Sequence, residues 1–91
     1  MIKPVDRIAL VSSQFREDLR CWIETDRKAA LRVLELMAAI LADPFAGIGK
    51  PELLRFELSG CWSRRITQEH RLVYRVQADR IEFVQARYHY E

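Results

Sequence analysis

Apolar residues lie at helical spacing in the first half of the chain. Four of them, at i, i+4, i+7 and i+8, predict the buried face of one helix, with Ser12 or Ser13 as its cap. They are Phe15, Leu19, Trp22 and Ile23. Arg16, Asp18 and Arg20 are then expected to face solvent. A short run before this helix, Arg7 to Val11, is predicted to be a strand.

A second helix is predicted after a break at Thr25 and Asp26. Its apolar stripe consists of Ala30, Val33, Leu34, Met37, Ala38 and Leu41. The helix is expected to end at Asp43 and Pro44, because proline cannot continue the hydrogen-bond ladder. Two amphipathic helices with so tight a join predict an αα-hairpin.

Alternation of apolar and polar residues replaces the helical spacing after an irregular loop over Pro44 to Glu52. Strands are predicted at Leu53 to Leu58, Trp62 to Thr67, Arg71 to Val76 and Ile81 to Tyr88. Their short joins favour antiparallel neighbours. The predicted fold class is therefore α+β, with an N-terminal strand, an αα-hairpin and a four-stranded antiparallel sheet.

Residues two apart in a strand point the same way, so the alternation sorts the sheet into two faces. The apolar face collects Leu54, Phe56, Leu58, Trp62, Ile66, Leu72, Tyr74, Val76, Val84 and Ala86. The opposite face collects Arg55, Glu57, Ser63, Arg65, Thr67, Arg71, Val73, Arg75, Gln85, Arg87 and His89. Because two helices cover one side of a small sheet, this second face is expected to be open, basic and suited to an RNA backbone. Arg64 falls on the apolar face, which requires an edge strand, a bulge or an acidic partner.

Length and composition bound the class of protein. A chain of 91 residues is expected to be one domain, residues 1–91, with an open groove rather than an enclosed pocket. Apolar residues at 49% and charged residues at 31% exclude a disordered chain. The sequence has no apolar run of the roughly 18–20 residues that a membrane span needs, and its N-terminus lacks a signal-peptide pattern, so a cytoplasmic protein is expected.

Charge is unevenly distributed along the chain. The total of 15 basic and 13 acidic residues gives only +2, too little to indicate nucleic-acid binding. From Lys50 to Arg75, however, six basic residues face three acidic ones, a local charge of 6 − 3 = +3. Most of the basic residues are arginines, whose planar fork suits phosphate. An arginine-rich solvated surface is the alternative interpretation.

Cysteine and histidine give no metal pattern. Cys21 and Cys61 lack the tight spacing of a disulfide scaffold or a zinc site, so both are interpreted as free thiols. His70 and His89 are too far apart in sequence to suggest a metal pair. We expect no metal and no other cofactor.

Six motifs occur in order along the chain: Trp22-Ile23-Glu24-Thr25-Asp26, Lys50-Pro51-Glu52, Leu58-Ser59-Gly60, Trp62-Ser63-Arg64-Arg65-Ile66-Thr67, Glu69-His70-Arg71-Leu72-Val73-Tyr74 and Arg87-Tyr88-His89-Tyr90. Together they resemble the YoeB/Txe branch of the RelE-type toxins, from about Ile8 to Tyr90, leaving residues 1–7 as an N-terminal extension. The resemblance implies a RelE-like toxin that cleaves messenger RNA in the ribosomal A site. It also implies neutralisation by a YefM/Phd-type antitoxin, and it leaves open whether the free protein forms a homodimer.

The resemblance implies five catalytic residues: Glu52, Arg65, Arg71, His89 and Tyr90. It adds Lys50 and Arg55 as substrate-binding residues. The chemistry implied is metal-free transesterification, in which the 2′-hydroxyl attacks the adjacent phosphate. Glu52 is expected to act as the base and His89 as the acid, while the two arginines neutralise the phosphorane.

Two other functions compete with this one. The related ParE-type toxins share the architecture, lack the catalytic residues and inhibit DNA gyrase by binding. A generic RNA-binding sheet would carry aromatic residues on the basic face, and the alternation places none there.

Overall fold

A computed structural model of the protein describes residues 7–55 and 60–88. Its elements, in chain order, are β1 Ile8–Val11, α1 Ser13–Thr25, α2 Arg27–Ala42, β2 Glu52–Leu53, β3 Cys61–Arg65, β4 Arg71–Val76 and β5 Arg80–Gln85. The predicted α+β class and the predicted order of helices and strands are confirmed. In the part of the chain described, neither helix is long and apolar enough to cross a membrane.

The strands form one five-stranded mixed sheet in the order β1-β5-β4-β3-β2. β2 to β5 are antiparallel neighbours, as predicted. β1 pairs in parallel with β5, with Ile8 opposite Arg80 and Val11 opposite Phe83. The N-terminal strand is thus an edge of the same sheet that the C-terminal half of the chain builds.

The helix boundaries follow from side-chain capping. Ser12 caps α1, because its Oγ accepts a hydrogen bond of 3.0 Å from the amide of Phe15. Asp26 closes α1 and opens α2: its amide donates to Trp22 O at 2.7 Å, and its carboxylate accepts from Ala29 N at 3.2 Å. One residue therefore joins the two helices, which keeps the hairpin tight.

The two helices pack on one face of the sheet, with small shifts from the predicted stripes. In α1, Ile23 is 60% exposed and Asp18 is 2% exposed, the reverse of the prediction. In α2 the core residues include Leu36 and Ile40, whereas Leu34 and Ala38 are exposed. The helices are rotated about their axes relative to the stripes that the sequence spacing suggests.

The predicted faces of β5 are wrong for its first part, because the strand contains a β-bulge. Val73 pairs with Gln85 and Tyr74 with Phe83, which leaves Val84 without a partner. The extra residue inverts the alternation, so Ile81 and Phe83 are buried in the core while Val84 is half-buried. Beyond the bulge the pattern returns to the predicted one.

β2 is shorter than predicted. It spans Glu52–Leu53, and its register places Glu52 opposite Ser63 and Leu53 opposite Trp62. Leu54 and Arg55 follow it outside the strand, so the alternation used to assign their faces does not apply to them. The other residues predicted for this strand, from Phe56 to Leu58, lie outside the described residues.

Candidate active site

Arg65 and Arg71 are direct neighbours on the sheet. They are Cα partners in the antiparallel pair of β3 and β4, and both are half-buried. Opposed residues of such a pair share a face, so the two arginine side chains leave the sheet side by side, as the alternation predicted. Like charges in this position repel, which favours the arrival of an anion between them.

Glu52 supplies the nearest carboxylate. Its Oε2 lies 2.9 Å from Nη1 of Arg71, and the same Nη1 donates to Ser63 Oγ at 3.2 Å. The register explains the contact: Glu52 of β2 stands opposite Ser63 of β3. Ser63 in turn stands opposite Val73, two residues from Arg71 in β4. Ser63, fully buried although it lies on the face expected to be open, thus helps to hold Arg71 and was not predicted as part of the site.

Arg65 differs from Arg71 in having no acidic partner among the described residues. Its Nε is buried and makes no hydrogen bond there. A buried donor without an acceptor costs about 1–3 kcal/mol. Arg65 is a cation of the site that no carboxylate of the described residues neutralises.

The loop before β2 brings Lys50 to the same end of the sheet. Lys50 is exposed and has a positive φ of 53°, and the carbonyl of the preceding Gly49 accepts a 2.7 Å hydrogen bond from the amide of Arg65. Arg55 is also exposed, just beyond β2. Lys50 is thus fixed next to Arg65 through the backbone, whereas no described contact ties Arg55 to the pair of arginines.

The C-terminal segment returns to this end of the sheet. The carbonyl of Tyr88 accepts a 3.1 Å hydrogen bond from the amide of Arg71. The described residues end at Tyr88, so His89 and Tyr90, the remaining two residues of the predicted catalytic set, lie outside them. The structure brings Glu52, Arg65 and Arg71 together, with Lys50 beside them.

Arg64 resolves the difficulty that the alternation raised. It is fully buried, and its partners are neutral: it donates to Tyr74 Oη at 3.2 Å and to three backbone carbonyls at 2.6–3.1 Å. These carbonyls belong to Asp43, Ala46 and Ile48. Burial raises the pKa of the Tyr74 phenol, and the Arg64 guanidinium partly opposes this shift. None of the three expected explanations, an edge strand, a bulge or an acid, applies.

Asp18 and Trp22 of α1 anchor the segment that leads to the C-terminus. Asp18 Oδ2 accepts from the amide of Ala86 at 2.9 Å, and Trp22 Nε1 donates to the carbonyl of the same residue at 2.7 Å. Both polar groups of Ala86 are thus paired with α1. Spacing alone could not show this, because a carboxylate on a helix is ordinarily solvated.

Metal-ligating side chains do not cluster in the described ranges 7–55 and 60–88, where no three histidine, cysteine, aspartate or glutamate residues come together as a metal site requires. The charged side chains that the structure describes at the site are Glu52, Arg65, Arg71 and Lys50. They can bind an anion, and Glu52 can accept a proton.

A small α+β domain with two helices on one face of a five-stranded mixed sheet is the type of protein found among the RelE-like toxins. A family model for the YoeB-like toxin of bacterial type II toxin-antitoxin systems matches residues 11–90. Toxin RelK of Mycobacterium tuberculosis is 57% identical over 74 residues, which cover 81% of this chain and 87% of the relative. The chain belongs to the YoeB-like toxin family.

Solved structures agree with this assignment. The YoeB dimer from Staphylococcus aureus is 38% identical, with a TM-score of 0.85 over 93% of this chain and 99% of the other. A YoeB-YefM complex from the same organism is 38% identical, with a TM-score of 0.81 over 92% and 98%. These identities, together with the matched family model, extend the similarity beyond the fold.

Proposed function

We propose that this toxin is a metal-independent endoribonuclease that cuts messenger RNA in the ribosomal A site. The single observation that carries the proposal is the pair of facing arginines with one carboxylate at 2.9 Å. Arg65 has no acidic partner among the described residues and so can pair with a phosphate oxygen, and Glu52 lies beside the second cation. A phosphate bound by the arginines would have its neighbouring ribose close to the only carboxylate of the described site.

The reaction is a transesterification. Glu52 takes the proton of the 2′-hydroxyl, O2′ bonds to phosphorus, the bond from phosphorus to O5′ breaks, and His89 gives a proton to the leaving oxygen. The products are a 2′,3′-cyclic phosphate and a 5′-hydroxyl. Arg65 and Arg71 stabilise the phosphorane, each worth about 10²–10³ in rate. Tyr90, Lys50 and Arg55 hold the phosphate and the bases.

The openness of the site supports dependence on the ribosome. Glu52 and Lys50 are exposed, and Arg65 and Arg71 are half-buried on the same face of the sheet. Holding the RNA in the reactive geometry can supply a large part of the reduction in the activation barrier, and an open face holds the RNA only loosely. The ribosomal A site would hold the message in place, which puts the toxin in the cytoplasm.

The test is a translation reaction programmed with a defined message, followed by mapping of new 5′ ends. We expect A-site cuts with the wild type and a loss of about 10²-fold or more with Arg65→Ala and with His89→Ala. Arg75→Ala is the matched control, because Arg75 lies on the same face but pairs with Glu82 at 2.6 Å. A wild type that leaves the message intact, or variants that cut as fast as it does, would contradict the proposal. Inhibition of gyrase supercoiling by an inactive wild type would instead favour the ParE-like alternative.

We also propose a neutralising antitoxin of the YefM type, since a Staphylococcus aureus relative was solved as a YoeB-YefM complex. An acidic segment of this partner would pair with Arg65 and Arg71. The check is co-expression with the protein encoded beside this gene, followed by the cleavage reaction with the purified complex. A complex that still cuts at the full rate would contradict masking of the arginines.

A further inference from the structure

The buried guanidinium of Arg64 organises the loop between α2 and β2. Its Nη2 donates to Asp43 O at 2.6 Å and to Ala46 O at 3.0 Å, while Nη1 donates to Ile48 O at 3.1 Å. Tyr74 completes the arrangement, because its Oη accepts from Arg64 Nε and donates to Pro44 O at 2.7 Å. Four carbonyls of one loop are thus bound to two side chains of the sheet.

Stability is a weak explanation for this arrangement. Transfer of an arginine from water to the core costs several kcal/mol, and here no carboxylate of the described residues repays it. Apolar residues of similar volume often serve a core as well or better. What the guanidinium provides, and an apolar side chain does not, is five directed donors that fix a loop lacking regular structure.

The glycines of the loop show how closely it is fitted to Arg64. A Cβ on Gly47 would lie 3.1 Å from Nη1 of Arg64, and a Cβ on Gly49 would lie 2.8 Å from a methyl group of Leu36 and 3.1 Å from Cβ of Arg64. Both glycines have positive φ values, 124° and 83°. A side chain at either position would therefore collide with Arg64 or Leu36, so the loop needs glycine there to pack this closely.

The loop connects directly to the site. Gly49 O accepts a 2.7 Å hydrogen bond from the amide of Arg65. The loop is therefore bonded to the backbone of Arg65 as well as to the side chain of Arg64. Lys50 and Glu52 come next in the chain, and Glu52 reaches Arg71. Arg64 thus holds the first part of the loop inside the core, and the last part leads to Glu52, the proposed base, on the face that carries Arg71.

We propose that Arg64, together with Tyr74, is a positioning residue that fixes Lys50 and Glu52 relative to Arg65 and Arg71. The proposal rests on the proposed function, in which Glu52 is the base. Release of the loop lets Glu52 move away from the 2′-hydroxyl, and a displacement of about 1 Å is enough to lower a rate by roughly 10²-fold. Substrate binding changes less than the rate does, because Arg55 and the two arginines of β3 and β4 still bind the RNA when Lys50 shifts with the loop.

Tyr74→Phe and Arg64→Lys test the proposal, the first as the milder change. Tyr74→Phe keeps the ring but removes the hydroxyl between Arg64 and Pro44 O, and Arg64→Lys keeps the charge but loses the fork. We expect each to lower the single-turnover cleavage rate at saturating toxin by about 10- to 100-fold. The toxin concentration for half-maximal rate should change by a smaller factor than the rate itself, because only Lys50 of the substrate-binding residues shifts with the loop. Amide hydrogen exchange of Arg65, whose N–H bonds to Gly49 O, should accelerate in both variants.

Val33→Ala is the control for a purely structural effect. Val33 is fully buried in α2 and takes no part in the loop, so its truncation lowers the midpoint of thermal unfolding without moving Glu52. If Arg64→Lys and Tyr74→Phe behave like Val33→Ala, losing stability but keeping the maximal rate, the positioning role is wrong. If the wild type does not cut message, the proposed function fails, and the loop attachment is judged by exchange alone: unchanged protection of Arg65 contradicts it.

Discussion

The ion pair between Glu52 and Arg71 joins two reactive groups in a place where it adds little to stability. The Glu52 side chain is 63% exposed, and exposed pairs are worth about 0–1 kcal/mol. A change of this carboxylate is therefore a clean probe of chemistry.

Glu52→Gln is expected to slow A-site cleavage by about 10²–10⁴-fold, because the amide cannot take the 2′-hydroxyl proton. The midpoint of thermal unfolding should stay nearly unchanged. Glu82→Gln is the control, since Glu82 makes the comparable pair with Arg75 on the same sheet. Equal losses in the two variants would show that general loss of negative charge, rather than loss of the base, slows the reaction.

Tyr74 links stability to pH. Burial raises the pKa of its phenol above the ordinary value of 10.0, so the folded protein keeps this proton at a pH where the unfolded chain has lost it. The stabilisation is complete below about pH 10 and is lost as the pH rises through the folded-state pKa.

We expect the free energy of unfolding of the wild type to fall more steeply above about pH 10 than that of Tyr74→Phe, which has no phenol to ionise. Urea denaturation at several pH values between 8 and about 11 measures this difference. Parallel curves for the two proteins would show that the Tyr74 proton makes no contribution.

Residue patterns reveal which side chains share a face, but they do not reveal what satisfies a buried charge. Arg65 and Arg71 were placed on one face by counting alone, and their pairing confirms it. Arg64 could not be explained in this way, because its acceptors are carbonyls of a loop whose path depends on Gly47 and Gly49. Every residue has a backbone carbonyl, so the sequence does not show which carbonyls accept from Arg64.

At the scale of elements, the predicted helices and strands are all present. The wrong predictions concern which side chains are buried, because tertiary contacts decide burial where the spacing of apolar residues is ambiguous. Alternation failed in β5 because the bulge at Val84 inverts the faces, and a bulge has no fixed sequence signal. The helical stripes were misplaced because apolar residues surround much of α2, so spacing allows more than one buried face. Packing against the sheet, which the spacing does not encode, is what buries Leu36 and Ile40.

α1 contacts the residue that directly follows β5. Asp18 and Trp22 hold the two polar groups of Ala86, three residues before His89. Asp18→Ala leaves the amide of Ala86 without its acceptor, which should lower the free energy of unfolding by about 1–3 kcal/mol. Glu17→Ala, the exposed neighbour on the same helix, should change it by less than about 0.5 kcal/mol. Chemical denaturation compares the two, and equal effects would contradict the anchoring role.

At the scale of the whole molecule, the sheet ties the two ends of the described chain together. β1 adds to β5 as an edge strand: Ile8 N donates to Asp79 O at 3.0 Å and Ser12 N donates to Phe83 O at 3.1 Å. Ser12 does more, because its Oγ donates to Val84 O at 2.7 Å while it caps α1. The helix pair cannot leave the sheet without breaking contacts at both ends of β5.

This connection predicts that the protein unfolds as one cooperative unit, as expected for a single domain of residues 1–91. Calorimetry should give one transition of about 60 kcal/mol, with equal calorimetric and van't Hoff enthalpies. Ser12→Ala removes a cap and a strand contact together, so it should lower the midpoint of that one transition rather than separate a second. Two transitions, in the wild type or in Ser12→Ala, would contradict a single domain, because they would show that the helix pair and the sheet unfold independently.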